Sequence, residues 1–318
     1  MPSTGHEAKE RSLATTSNTT AAIISSAMSG AAAIALARKP KAPAALRWAL
    51  WGCLGLGAAV TANELTGKPV AFLRWSVLNF LFGGRFLSKL SRVRGVENAL
   101  AAFVLKNTRA GDLDDVIRAI DEFCYTRSVM MNVGDEKGVI LDRAVRRAQP
   151  HRLLELGTYC GYSALRTIRA MPDGAHLYSV EMRPENAEVA RRILVHAGVA
   201  DRVTIVVGHL GDGGTTLRRL RTEYGFTAGS LDFVFIDHDK RAYLPDLQHI
   251  LDEGWLHQGS VVVADNVKYP GAPEYHDYMR QQEGKMWRTR EHRTHVEYQS
   301  LIRDLVLESD YLGPDGLG

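Results

Sequence analysis

The sequence predicts an α/β domain built on a doubly wound, mostly parallel sheet. Three observations predict it. From Arg152 onward, short apolar runs alternate with helix-compatible stretches, which is the pattern of βαβ units. Two of these runs, LDFVFID (231–237) and SVVVAD (260–265), are largely apolar and end in an acid, as strands buried on both faces do. The stretch Leu153 to Leu165, LLELGTYCGYSAL, passes from an apolar run through Gly157 and Gly161 into a helical pattern. That order is a strand, a tight turn and a helix N-terminus.

The chain divides by composition into three parts. Residues 1–47 are rich in Ala, Ser and Thr and are expected to be a poorly ordered segment. Residues 48–94 form a hydrophobic, anchor-like region. Trp48 to Ala62 is uncharged, and Val70 to Phe82 is interrupted by Arg74 and followed by Arg85, Lys89, Arg92 and Arg94. The first segment is shorter than the roughly 20 residues of a spanning helix, so either a short span or an interfacial helix beside anionic lipid is expected. Residues 95–318 read as the catalytic domain. Helical periodicity predicts helices over 96–106 and 113–123, with Asp112 capping the second. MMNVGDEK (130–137) reads as a loop leading to a helix over 138–147. Strands are expected at 152–156, 176–180, 203–207, 231–236 and 260–264, with helices between them at 162–170, 185–197, 213–223 and 243–253.

Net charge and cysteine usage narrow the function. The formal charge is +3, without a long Lys/Arg run in the latter two thirds, so no nucleic-acid partner is expected. Cys53, Cys124 and Cys160 are scattered. They offer neither metal-ligand spacing nor a disulfide framework, which fits a reducing compartment.

Ligands of such sheets bind at the carboxyl ends of the strands. The first strand ends in Glu155-x-Gly157-x-x-x-Gly161, the pattern of Rossmann-like S-adenosylmethionine (AdoMet) methyltransferases. The second ends in Glu181, about 20 residues on, where an acid accepts hydrogen bonds from a ribose diol; capping at Arg183-Pro184 is the weaker rival. The fourth ends in Asp237, followed by His238, Asp239 and Lys240, and the fifth in Asp265 and Asn266. Adjacent strand ends bring Asp237, Asp265 and Asn266 together as an oxygen donor set suited to Mg²⁺. Zinc is disfavoured because no His/Cys cluster accompanies them. Lys240, three residues past a ligand, is the candidate general base, since a neighbouring divalent charge favours a neutral amine.

At these residues the chain resembles the catechol O-methyltransferase family, from about Gly95 to Gly313. The matching pieces are Met131-Asn132-Val133-Gly134-Asp135, Glu155 to Ser163, Asp237-His238, Tyr243-Leu244-Pro245-Asp246, Ala264-Asp265-Asn266-Val267 and Pro270-Gly271. The resemblance implies an AdoMet-dependent domain needing Mg²⁺, with Asp237, Asp265 and Asn266 on the metal and Lys240 as base. It implies that Lys240, Asn266 and Glu297, in HVEYQSLI, meet the acceptor. Met131, Val133, Glu155, Gly157, Tyr159, Ser163, Glu181, Met182, Asp237 and His238 fall on its cofactor site, and Asn132 lies where the family lines the cofactor and acceptor site. A membrane-bound form with an N-terminal anchor, known in this family, fits residues 48–82.

Two departures stand out. Val129 and Asp239 take the places of tryptophans that wall the catechol ring and adenine. Leu210 and Gly211 replace polar adenine contacts, with His209 beside them. The expected function is therefore methyl transfer from AdoMet to a hydroxyl of a catechol-like small molecule. The alternatives are bulkier phenolic acceptors, or a non-catalytic, membrane-tethered AdoMet-binding protein. The expected location is a membrane surface with the catalytic domain facing the cytosol, or the cytoplasm if 48–82 is not an anchor.

Overall fold

The computed structural model describes residues 29–30, 32–35, 43–65, 95–298 and 302–314. The chain separates into two compact units, Met1–Val93 with Glu122–Met130, and Arg94–Asp121 with Met131–Gly318.

In the first unit, helix α1 (Ala44–Leu65) takes up the first apolar segment. At 1.5 Å per residue it is about 33 Å long. Even so, among the described residues no helix is long and apolar enough to cross a membrane. The spanning alternative for 48–62 is thereby corrected: Gly52, Gly55, Gly57, Thr61 and Asn63 dilute the apolar content. The second apolar segment, the basic residues after it, and residues 1–28 lie outside the described residues.

In the second unit, helices α2 (Val96–Asn107), α3 (Leu113–Thr126) and α4 (Gly134–Ala148) precede the sheet, α3 running on into the Glu122–Met130 stretch of the first unit. Asp112 caps α3 as expected, its Oδ1 accepting from Asp115 N at 3.0 Å. The strands are β1 (Arg152–Leu156), β2 (His176–Glu181), β3 (Val203–Val207), β4 (Leu231–Ile236), β5 (Leu256–Ala264), β6 (Trp287–His295) and β7 (Arg303–Tyr311). Helices α5 (Tyr162–Ala170), α6 (Pro184–His196), α7 (Thr215–Thr222) and α8 (Tyr243–Asp252) connect β1 to β5, and α9 (Pro273–Gln281) follows β5. The strand order is β3-β2-β1-β4-β5-β7-β6. The first five strands pair in parallel, and β7 and β6 add antiparallel. This is the doubly wound, Rossmann-like, mostly parallel fold that the sequence predicts. The order reverses between β1 and β4, which makes the cleft beyond their carboxyl ends the ligand site.

Side chains alternate across a strand. Leu154, Leu156, Val234, Ile236, Val262 and Ala264 join Leu217, Leu220, Leu247, Ile250 and Met279 in one core cluster. The intervening Leu153, Phe233, Phe235, Val261 and Val263 are buried as well, so both faces of the sheet are covered.

Two elements differ from the sequence expectation. The stretch 130–137 is not all loop, because α4 already starts at Gly134. Asn132 Oδ1 accepts from Gly134 N at 3.2 Å, and Asp135 and Glu136 occupy the first turn, where the helix dipole favours acids. The β6–β7 hairpin lies beyond the five expected strands. Strand β6 reads WRTREHRTH, with no apolar run to announce it. It is an edge strand, where charged side chains keep the open ladder from pairing further.

Candidate active site

In register, Leu156 pairs with Ile236 and Ile236 with Ala264. The residues that follow, Gly157, Asp237 and Asp265, therefore leave the sheet side by side. At Gly157, φ is +106°, and a Cβ there would stand 2.5 Å from the Asp237 carbonyl oxygen. Only glycine fits this approach of the β1 turn to the end of β4.

The β1 turn carries the candidate cofactor residues. Glu155 is fully buried and bonded by the Ser179 hydroxyl. Burial, with Asp237 and Glu181 nearby, pushes its carboxyl up to about 7. Its Oε1 has no hydrogen-bond partner. Tyr159 sits at φ +47°; its N donates to Glu181 Oε2 at 2.8 Å, and its hydroxyl to Glu97 Oε1 at 3.1 Å. Glu181 Oε1 accepts from Arg183 N at 2.8 Å, so the capping rival is met in part, although each carboxylate oxygen keeps a further lone pair. His238 Nε2 lies 2.9 Å from Asp246 Oδ2, and its ring stacks on Tyr243. Its buried Nδ1 has no partner. Val133 and Ser163 are buried, whereas Met131 and Met182 are exposed.

The candidate metal ligands meet around a group the sequence reading missed. Lys137, in the first turn of α4, is 1% exposed. Its Nζ lies 2.8 Å from Asp265 Oδ1, 2.5 Å from Glu297 Oε1 and 3.2 Å from Asp304 Oδ2. Burial works against this charge, but Asp265, Glu297, Asp237 and Asp304 together hold its pKa above the ordinary lysine value. Asn266, at φ +52°, donates from Nδ2 to Glu297 Oε1 at 2.9 Å and to Asp304 Oδ2 at 2.8 Å. Asp304 Oδ1 accepts from Tyr269 N at 2.9 Å. Lys240 Nζ donates to Asp237 Oδ1 at 2.9 Å and to the Tyr243 hydroxyl at 2.5 Å, and that hydroxyl reaches the Asp265 carbonyl at 3.0 Å. Asp237, Asp265, Asn266, Lys240 and Glu297 are thus brought together. Neither Lys137 nor Asp304 carries a sequence signal: a lysine after Gly-Asp-Glu reads as solvated, and Asp304 sits on a strand the periodicity does not reveal.

Among the described residues, no group of three or more His, Cys, Asp or Glu side chains is arranged to hold a metal ion. The candidate set has two aspartates and an asparagine. Its fit to a cation rests on Asp265, which is 0% exposed and whose Oδ2 has no partner. Burial, with Asp237 and Glu297 adding their repulsion, pushes this carboxyl up to about 7. A buried carboxylate oxygen without a donor is costly, and a hard divalent cation that takes oxygen ligands meets the need.

Of the two departures, Val129 belongs to the first unit. Asp239 is half exposed and pairs with Arg241 at 2.8 Å. That pairing holds its carboxyl down at about 2, so the position carries an ionised, paired carboxylate. The polar-poor turn after β3 keeps Leu210 buried.

A family profile described as O-methyltransferase matches residues 108–299. A probable O-methyltransferase of Mycobacterium tuberculosis is 63% identical over 219 residues, which is 69% of this chain and 93% of that protein. Catechol O-methyltransferase B of Danio rerio is 40% identical over 229 residues, 72% of this chain and 83% of that protein. Among solved structures, the crystal structure of an O-methyltransferase of Streptomyces achromogenes in complex with SAM is similar in fold. Its TM-score is 0.51 at 22% identity, covering 77% of this chain and all of that one. By its matched profile and by the extent of these likenesses, the chain belongs to the O-methyltransferase family.

Proposed function

We propose that the second unit is an AdoMet- and Mg²⁺-dependent O-methyltransferase of catechol-like small molecules. The observation that carries this reading is the partnerless, buried Asp265 Oδ2 beside Asp237, Asn266 and Lys240. When bound, AdoMet supplies an electrophilic methyl on a sulfonium, and Mg²⁺ supplies positive charge for the phenolate that develops.

The chain's own residues do the rest. Asp237, Asp265 and Asn266 would hold the cation. Glu155 offers Oε1, and Glu181 its remaining lone pairs, to donors of the cofactor. Glu297 takes the second acceptor hydroxyl, while Lys240 Nζ takes the proton of the attacking one. The acceptor oxygen so deprotonated would take the methyl that AdoMet supplies. Alignment of this kind is worth roughly 7–11 kcal/mol in favourable cases.

Bulkier phenolic acceptors are the second reading. Asp239 favours it: the side chain is half exposed and turned to Arg241, so no aromatic wall stands at this position. The test is transfer from labelled AdoMet to catechol, an amine-bearing catechol and a bulky diphenol, with Mg²⁺ and with chelator. Turnover that needs Mg²⁺ is expected, with the bulky diphenol gaining on catechol. AdoMet binding without turnover on any phenol overturns the reading and leaves the non-catalytic alternative.

The chain also associates with a membrane surface through α1, the catalytic unit facing the cytosol, where AdoMet is made. Trp48 is 76% and Trp51 is 52% exposed, and Leu56 is exposed as well; tryptophan favours the bilayer interface. Full-length protein is expected to float with anionic vesicles, and the Trp48→Ala/Trp51→Ala variant to remain in the soluble fraction. Equal flotation of the two removes α1 as the contact.

A further inference from the structure

We propose that Lys137 and Asp304 form an orienting pair that presets the metal ligands. The inference rests on the metal reading above. Each of two candidate ligands has one polar atom engaged by this pair and one left over. Asp265 Oδ1 faces Lys137 at 2.8 Å and also accepts from Asn266 N at 2.6 Å, while Oδ2 has no partner. Asn266 Nδ2 donates to Asp304 Oδ2 at 2.8 Å and to Glu297 Oε1 at 2.9 Å. Turned over, the amide would aim its carbonyl oxygen at two carboxylate oxygens, acceptor against acceptor. The neighbours therefore dictate which end of the amide faces Asp304, and Oδ1 is the atom left for a cation.

Asp304 is itself held. It is 2% exposed and takes three donors, Lys137 Nζ, Asn266 Nδ2 and Tyr269 N. All three reach a carboxylate, but an amide in its place must turn an N–H₂ against one of them. Charge points the same way. Asp237, Asp265, Glu297 and Asp304 against Lys137 and Lys240 leave two negative charges when all are ionised, which one divalent cation balances. Second-layer partners of this kind are commonly worth 10–100-fold in metal affinity.

The test exchanges the two groups and reads binding of Mn²⁺ alone, by the paramagnetic resonance of the free ion, without substrate. Asp304→Asn is expected to weaken Mn²⁺ binding about 10–100-fold. Asn266→Asp, although it adds a negative charge to the ligand set, is expected to weaken it too, because the new carboxylate faces Asp304 and Glu297. The double variant Asn266→Asp/Asp304→Asn restores a donor facing an acceptor between the two positions and is expected to bind Mn²⁺ more tightly than the weaker single variant, regaining part of the loss, since Glu297 and Lys137 keep their places. A purely structural role predicts additive losses, so a double variant weaker than both single variants overturns the inference, as does unchanged binding in the single variants. Should a single variant fail to fold, recovery of fold and Mn²⁺ binding in the double variant carries the same test, and its absence overturns the proposal. Failure of the unmodified protein to bind Mn²⁺ is a different result: it removes the metal reading, and this inference with it.

Discussion

Asp265→Ala is expected to abolish Mg²⁺-dependent turnover while AdoMet still binds within a few-fold of the unmodified protein. The carboxylate lies at the end of β5, 0% exposed, with Lys137 on one oxygen and nothing on the other. Removing it takes away Oδ2, the candidate ligand oxygen that no protein donor meets. Breaking a buried pair by deleting one partner often costs about 3–5 kcal/mol. Here Lys137 keeps Glu297 and Asp304, and burial already disfavours the Asp265 charge. Both limit the loss of stability, so the effect falls on catalysis. Calorimetric titration with AdoMet and methyl transfer across a Mg²⁺ series read the two quantities separately. A variant that keeps the unmodified rate in chelator overturns the metal assignment.

Lys240→Ala is expected to lower the maximal rate by about 10²–10⁴, the usual contribution of a general base, with a much smaller change in AdoMet affinity. Nζ stands 2.9 Å from Asp237 Oδ1 and 2.5 Å from the Tyr243 hydroxyl, so two roles compete, ion pairing and proton transfer. Lys240→Arg separates them. A guanidinium can pair with Asp237 but does not give up its proton in a protein. If Lys240 is the base, Arg rescues nothing; if it only pairs, Arg restores most of the rate. Single-turnover measurement of methyl transfer, with acceptor saturating, checks that chemistry limits the observed rate.

Much of the sheet was legible because a doubly wound fold leaves local marks. Buried parallel strands are continuous apolar runs, and β1, β3 and β4 lie where those runs do. Gly157 was legible because a sharp turn against a neighbouring strand excludes every side chain. Asp237 and Asp265 were legible because each ends its run, and strand ends are where ligands meet. The hairpin β6–β7 was not. An edge strand is stabilised by its ladder to β7 rather than by an apolar face, and charges there hide it from a periodicity search.

The sequence by itself determined the α/β class, the turn after β1 and the juxtaposition of Asp237, Asp265, Asn266 and Lys240, since each follows from period, spacing or the adjacency of strand ends. Only the tertiary structure decided what surrounds them. Lys137 comes from a helix before the sheet, and Asp304 from an antiparallel strand after it, 167 residues along the chain. No local pattern links them. They meet because a buried ammonium needs carboxylates and buried carboxylates need donors, a requirement met in three dimensions and not along the chain.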